Sequence, residues 1–122
     1  MSAAPLISVV DDDASIRVSL EGLIRSLGYR VACFDCASAF LESDARAGTA
    51  CVISDVQMPG MTGLELTQVL GAETGAPPVI LMSAFADDGA RARAEQAGAV
   101  CFLKKPFTAD SLISCLDRAL AL

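Results

Sequence analysis

The feature that most constrains this chain is an alternation of short apolar runs with helical patterns. The runs are Leu6–Val10, Arg30–Phe34, Ala50–Ser54, Val79–Met82 and Val100–Leu103. Short runs rich in Val, Ile and Leu suit parallel strands buried on both faces. The first helical stretch, about Ala14 to Leu27, sets Ile16, Leu20, Leu23, Ile24 and Leu27 on one face. Gly28 follows, where a left-handed cap belongs. The second stretch is short, about Ala37 to Ser43. The third begins near Gly63, carries Leu66, Val69 and Leu70, and has Gly71 near its end. The fourth, about Asp87 to Ala97, is mostly Ala, Arg and Glu with Gly89 inside it. Its apolar face is poor, so it is expected to be the least firmly anchored helix. The fifth, about Ala109 to Ala121, turns Leu112, Leu116, Ala119 and Leu120 inward. The pattern is (βα)5, an α/β chain whose parallel sheet is covered on both faces. Right-handed crossovers leave few topologies, and the strand order 2-1-3-4-5 is a common one.

Length and composition narrow the possibilities. The 122 residues, 53% of them hydrophobic, are read as one domain spanning 1–122 with a sizeable core. No apolar stretch approaches the roughly 18 residues a membrane helix needs. Residues 1–7 lack the basic start and long apolar run of a signal peptide. A soluble, cytoplasmic protein is therefore expected. The net charge of −6 repels phosphate backbones, so direct nucleic-acid binding is not expected. There is no His, which removes the commonest general base and transition-metal ligand. The five cysteines are an odd number and are expected to be thiols, not a disulfide framework. Cys51 and Cys101, inside apolar runs, read as small hydrophobes.

In an open α/β sheet, ligands bind beyond the carboxyl ends of the strands, at the point where the strand order reverses. Strand one runs into Asp11-Asp12-Asp13, strand three into Asp55, strand four into Ser83, and strand five into Lys104-Lys105-Pro106. Clustered carboxylates disfavour joint ionisation unless a cation joins them. Oxygen-only ligands suit a hard ion such as Mg²⁺. Asp55 stands at a strand tip before the turn Met58-Pro59-Gly60, a placement that suits a nucleophile forming an acyl phosphate. Lys105 supplies a point-like counter-charge and Ser83 a hydroxyl donor for phosphoryl oxygens. Plainer roles stand beside these: Asp13 or Asp11 as a helix cap, Asp55 as a turn former, Lys105 as a solvated side chain.

Four strings together carry a family resemblance. They are Val9-Val10-Asp11-Asp12-Asp13, Asp55-Val56-Gln57-Met58-Pro59-Gly60-Met61-Thr62-Gly63, Ser83-Ala84 and Lys105-Pro106-Phe107. In order and spacing the chain resembles the receiver domains of bacterial two-component response regulators, most of all those of helix-turn-helix transcription regulators. The resemblance implies a flavodoxin-like fold that takes a phosphoryl group on Asp55 from the phosphohistidine of a partner kinase or phosphotransfer protein. It implies Mg²⁺ held by Asp12, Asp55 and the backbone carbonyl of Gln57, with Asp11 acting through water. Ser83 and Lys105 would bind the phosphoryl oxygens, Phe102 would be the switch aromatic, and the Lys105–Pro106 bond would be cis. The fourth-helix, fifth-strand and fifth-helix face would respond, and a homodimer through it, with Arg91, Arg93, Asp110 and Asp117 in ion pairs, is an option. The chain departs from the family's commonest pattern with Ser at 83 in place of Thr and Phe at 102 in place of Tyr.

Two rival chemistries have thinner support. Cys33-Phe34-Asp35-Cys36 is a single C-x-x-C, with no second pair or His to complete a zinc site. An aspartyl-nucleophile phosphohydrolase would need a general acid two residues after Asp55, and that position holds Gln57.

Overall fold

Period-two alternation in the strands decides which side chains meet which helices. A computed structural model describes residues 4–85 and 87–121. Among these, β1 (Leu6–Val10), β2 (Arg30–Phe34), β3 (Thr49–Asp55), β4 (Val79–Ser83) and β5 (Cys101–Lys104) form one parallel sheet. Its order is β2-β1-β3-β4-β5, with β1 and β3 adjacent at the reversal of order. Between and after the strands lie α1 (Ala14–Ser26), α2 (Ala37–Leu41), α3 (Gly63–Gly71), α4 (Asp88–Ala97) and α5 (Ala109–Leu120). This is the flavodoxin-like (βα)5 arrangement that the alternating pattern predicts.

Ile7, Val9, Ile53, Ile80 and Met82 point to one side, where Leu20 and Ile24 of α1 and Leu112, Leu116 and Ala119 of α5 cover them. Val10, Val52, Val79 and Leu81 point to the other, beneath Phe40 of α2, Leu66 and Leu70 of α3 and Ala94 of α4. Adjacent strand residues face opposite sides of a pleated sheet, so one apolar run builds two cores. The edge strands are less enclosed: the four residues Val31–Phe34 of β2 are only half-buried.

Local chemistry sets the ends. The Asp13 side chain accepts from the Ser15 backbone N–H at 2.9 Å and starts α1. Gly28 and Gly98, at φ of 96° and 103°, take the left-handed conformation that closes α1 and α4. Thr62 and Glu65 form a reciprocal capping box that starts α3.

Some boundaries differ from expectation. Helix α2 stops at Leu41 because Ser43 caps a separate 3-10 turn, Asp44–Gly48, through the Ala45 N–H at 3.0 Å. Leu27 does not join the α1 face: it is the capping residue and 36% exposed. Strand β3 extends one residue beyond the apolar run at each end, and Asp55 is its last residue, as the strand-end reading had it. Helix α4 buries only Ala90 and Ala94, in keeping with its poor apolar face.

The cysteine expectation is corrected. Cys101 and Cys115 are bonded to each other, with Cα atoms 5.8 Å apart. Packing of α5 against the sheet brings Cys115 onto Cys101, within the separation a disulfide allows. Cys33, Cys36 and Cys51 are free. Cys33 lies in β2 and Cys36 precedes α2, as a purely structural C-x-x-C would have it.

The start of α3 rests directly on the end of β3. A Cβ added at Gly63 would stand 2.1 Å from the Asp55 carbonyl oxygen and 3.0 Å from Leu81 Cδ2. Backbone cannot yield as a side-chain tip can, so Gly63→Ala is expected to destabilise the fold by about 2–3 kcal/mol. Urea denaturation measures it; an unchanged midpoint would mean that α3 can lift off β3 at no cost.

Candidate functional site

The sheet register assembles the site. Val10 pairs with Ser54 across β1 and β3, so the next residues, Asp11 and Asp55, emerge side by side. Met82 pairs with Asp55 and Ser83 with Lys104, which sets Ser83 and Lys105 at the same rim. A backbone bond from the Lys105 N–H to the Ser83 carbonyl, 2.8 Å, fixes the lysine's starting point. The Lys105–Pro106 bond is cis, as the resemblance implied.

Lys105 Nζ donates to Asp11 Oδ2 and to Asp55 Oδ2, each at 3.0 Å. Asp11 is fully buried, whereas the side chains of Asp55 and Lys105 are 14% and 15% exposed. The other Asp11 oxygen accepts from the Asp13 N–H at 2.9 Å. Asp55 Oδ1 accepts from the Gln57 N–H at 3.2 Å, which holds the Gln57 backbone against the carboxylate. Asp12 is exposed, and oxygens of Asp11, Asp12 and Asp55 lie within 4.8 Å of one another. All three donors are oxygens, and two of these residues reach solvent. That donor set fits a hard cation that keeps part of its water shell.

Ser83 is buried, and its Oγ accepts from the Phe85 N–H at 3.0 Å. Phe102 is half-buried and packs against the core on the α3–α4 side. The Arg91 guanidinium sits 5.5 Å from its ring centroid, a cation–π contact within the chain. Arg17, which the sequence patterns did not single out, donates from Nη1 to the Asp11 carbonyl at 2.6 Å. No local motif signals that bond, since it depends on where α1 lies over the end of β1. The structure thus gathers Asp11, Asp12, Asp55, Gln57, Ser83 and Lys105 at one rim, while Phe102 lies back along β5 from Lys105.

Electrostatics follow from burial. Burial pushes the Asp11 carboxyl above its ordinary 3.8, and the Asp13 N–H and Lys105 offset this only in part. Burial also opposes the Lys105 ammonium, yet hydrogen bonds and charge from Asp11 and Asp55 outweigh it and raise the pKa. Asp13 is lowered by its hydrogen bonds with Ser15.

Residues 7–117 match the model of the response regulator receiver domain. The transcriptional regulatory protein FixJ of Bradyrhizobium diazoefficiens is 40% identical over 114 residues, covering 93% of this chain and 56% of that protein. The response regulator StyR superposes with a TM-score of 0.86 at 41% identity, over 98% of this chain and 60% of that one. The FixJ-N crystal structure gives a TM-score of 0.86 at 30% identity, over 99% of this chain and 96% of that one. The chain belongs to the receiver-domain family of two-component response regulators. It spans about half the length of the curated relatives it matches, FixJ among them.

The Asp11–Lys105 contact has a pH signature. Because Asp11 titrates above 3.8 when folded, the native chain binds more protons than the unfolded chain just above that pH. Stability therefore falls as pH rises through the Asp11 window. Removing Lys105 deepens this loss, because the buried carboxylate then ionises without its cation. Lys105→Met in chelator is expected to lose about 3 kcal/mol at pH 7 and distinctly less near pH 4. Chemical denaturation across that range measures the difference, and a deficit independent of pH would count against an ionic role for Lys105.

Proposed function

We propose that this chain is a phosphoacceptor unit, residues 1–122 acting as one receiver domain, with Asp55 as the residue modified. The observation that carries the reading is the Lys105 ammonium bridging Asp11 and Asp55 at 3.0 Å each. A carboxylate at a strand tip, beside a cation and further oxygen ligands, is poised to attack phosphorus. An Asp55 oxygen forms the new P–O bond as the P–N bond of a phosphohistidine breaks, leaving an acyl phosphate on Asp55. The donor is a sensor histidine kinase or phosphotransfer protein.

Asp12, Asp55 and the Gln57 carbonyl would hold Mg²⁺, with Asp11 acting through water. The ion supplies charge neutralisation for the transferring phosphoryl oxygens. Lys105 exchanges its Asp55 oxygen for a phosphoryl oxygen. Ser83 accepts from Phe85 in the present arrangement, so its own hydroxyl proton is free to be donated to the same group.

New bonds at Ser83 and Lys105 favour a second packing of the α4, β5 and α5 face, in which Phe102 turns. The weak anchoring of α4 by Ala90 and Ala94 supports that face as the responsive one. The output is transcriptional control or contact with a partner protein, with a homodimer through the same face as one route. The domain itself does not bind nucleic acid. A cytoplasmic setting is part of this reading; no helix among the described residues is long and apolar enough to cross a membrane.

Labelling tests the reading. Asp55→Asn is expected to abolish incorporation of phosphate from a phosphohistidine donor or acetyl phosphate, followed by mass spectrometry of the intact chain. Undiminished labelling of that variant would refute the assignment. Excess EDTA is expected to stop the wild-type transfer, and restored Mg²⁺ to recover it; transfer that continues in EDTA would remove the metal from the mechanism.

A further inference from the structure

The Cys101–Cys115 pair plays no part in the acidic rim, yet it joins two elements of the face proposed to respond. Cys101 is half-buried and shares a recess with Arg91, Phe102 and Arg118. Cys115 is 4% exposed, beneath α5. Arg118 Nη1 lies 4.0 Å from Cys101 Sγ. One sulfur is thus reachable and has a cation beside it, and the other is buried within bonding distance of the first. The remaining cysteines lack this combination. Burial pushes the Cys51 thiol up to about 12, and Cys33 turns toward Glu21 and the Arg17 carbonyl.

We propose that Cys101 and Cys115 form a redox-sensitive modification site that takes low-molecular-weight disulfides and thiols, and that fastens α5 to β5 when oxidised. The Cys101 thiol gives its proton to solvent, and Arg118 favours the thiolate. That thiolate attacks one sulfur of a small disulfide such as oxidised glutathione, forming a mixed disulfide and releasing one glutathione thiolate. Cys115 then loses its proton to water and attacks the Cys101 sulfur, displacing the second glutathione thiolate. Two protein thiols are oxidised and one glutathione disulfide is reduced to two thiols. Reduction runs the same steps backward, entering at Cys101.

The crosslink encloses the segment that carries Phe102 and Lys105, across a sequence separation of 14. Oxidation thereby restrains α5 relative to β5, next to the ring that Arg91 covers. The bond's redox response stands alone, whereas its effect on phosphoryl transfer rests on the phosphoacceptor reading.

Full-length chain equilibrated across ratios of reduced to oxidised glutathione, then alkylated and digested, tests the site. The 101–115 crosslinked peptide is expected to rise with oxidised glutathione and to disappear on reduction without denaturant. The melting midpoint is expected to be about 10 °C higher in the oxidised form. Cys101→Ala and Cys115→Ala should each remove that difference. Alkylation of both cysteines at every ratio, or a melting midpoint indifferent to reductant, would overturn the proposal. With acetyl phosphate and Mg²⁺, the oxidised form is expected to take up label about fivefold more slowly or less. Equal rates in the two forms would overturn the regulatory consequence. A crosslink that responds to glutathione in a protein that takes no label in either form would leave the redox site standing and defeat the phosphoacceptor reading instead.

Discussion

Three aspartates crowd one end of the sheet, and a single ammonium holds two of them together. Without Lys105, Asp11 would be a fully buried carboxylate beside a second one, with one backbone N–H to answer its charge. With it, the rim keeps its charges at the cost of spending a lysine on internal balance. That arrangement contributes less to stability than an apolar rim of the same volume could. It is the kind of local conflict that proteins keep where chemistry is done. The rest of the molecule can be understood as the means of bringing these four side chains to one place. The parallel register puts Asp11 beside Asp55, and the β4–β5 pairing delivers Lys105 from the far end of the chain.

Much of this was legible in the sequence because parallel strands buried on both faces leave a plain apolar signature. The runs ending before Asp11 and near Asp55, Ser83 and Lys105 locate the strand ends to within a residue or two. The switch-point rule then brings their polar residues together. Gly28 was readable for the same reason, since an αL cap admits few residue types. What stayed hidden was whatever depends on the relative setting of two elements. The 3-10 turn at Asp44–Gly48 arises from a Ser43 cap that has no apolar periodicity. The bond from Arg17 to the Asp11 carbonyl needs the pose of α1 over β1. Arg91, a candidate for an ion pair with a second copy, lies over Phe102 within its own chain.

The disulfide is the clearest case. An odd cysteine count argued for thiols, and composition alone supported that. The pairing of Cys101 with Cys115 follows from α5 folding back over β5, a tertiary fact that residue counting cannot contain. Cys101 had been read as a small hydrophobe in a strand, and it does pack against the core under α1 and α5. Its packing against the core was foreseen, but its neighbour was not.

Helix α4 carries a consequence for how readily its outer surface can be altered. Two alanine methyls and the Arg91 guanidinium over Phe102 hold it to the body. Little apolar area is lost when it shifts, so its seat on the sheet is held by few side chains. Its solvent-facing positions can therefore be substituted with little effect on the packing beneath. A change among its outward side chains leaves the acidic rim at the strand ends untouched.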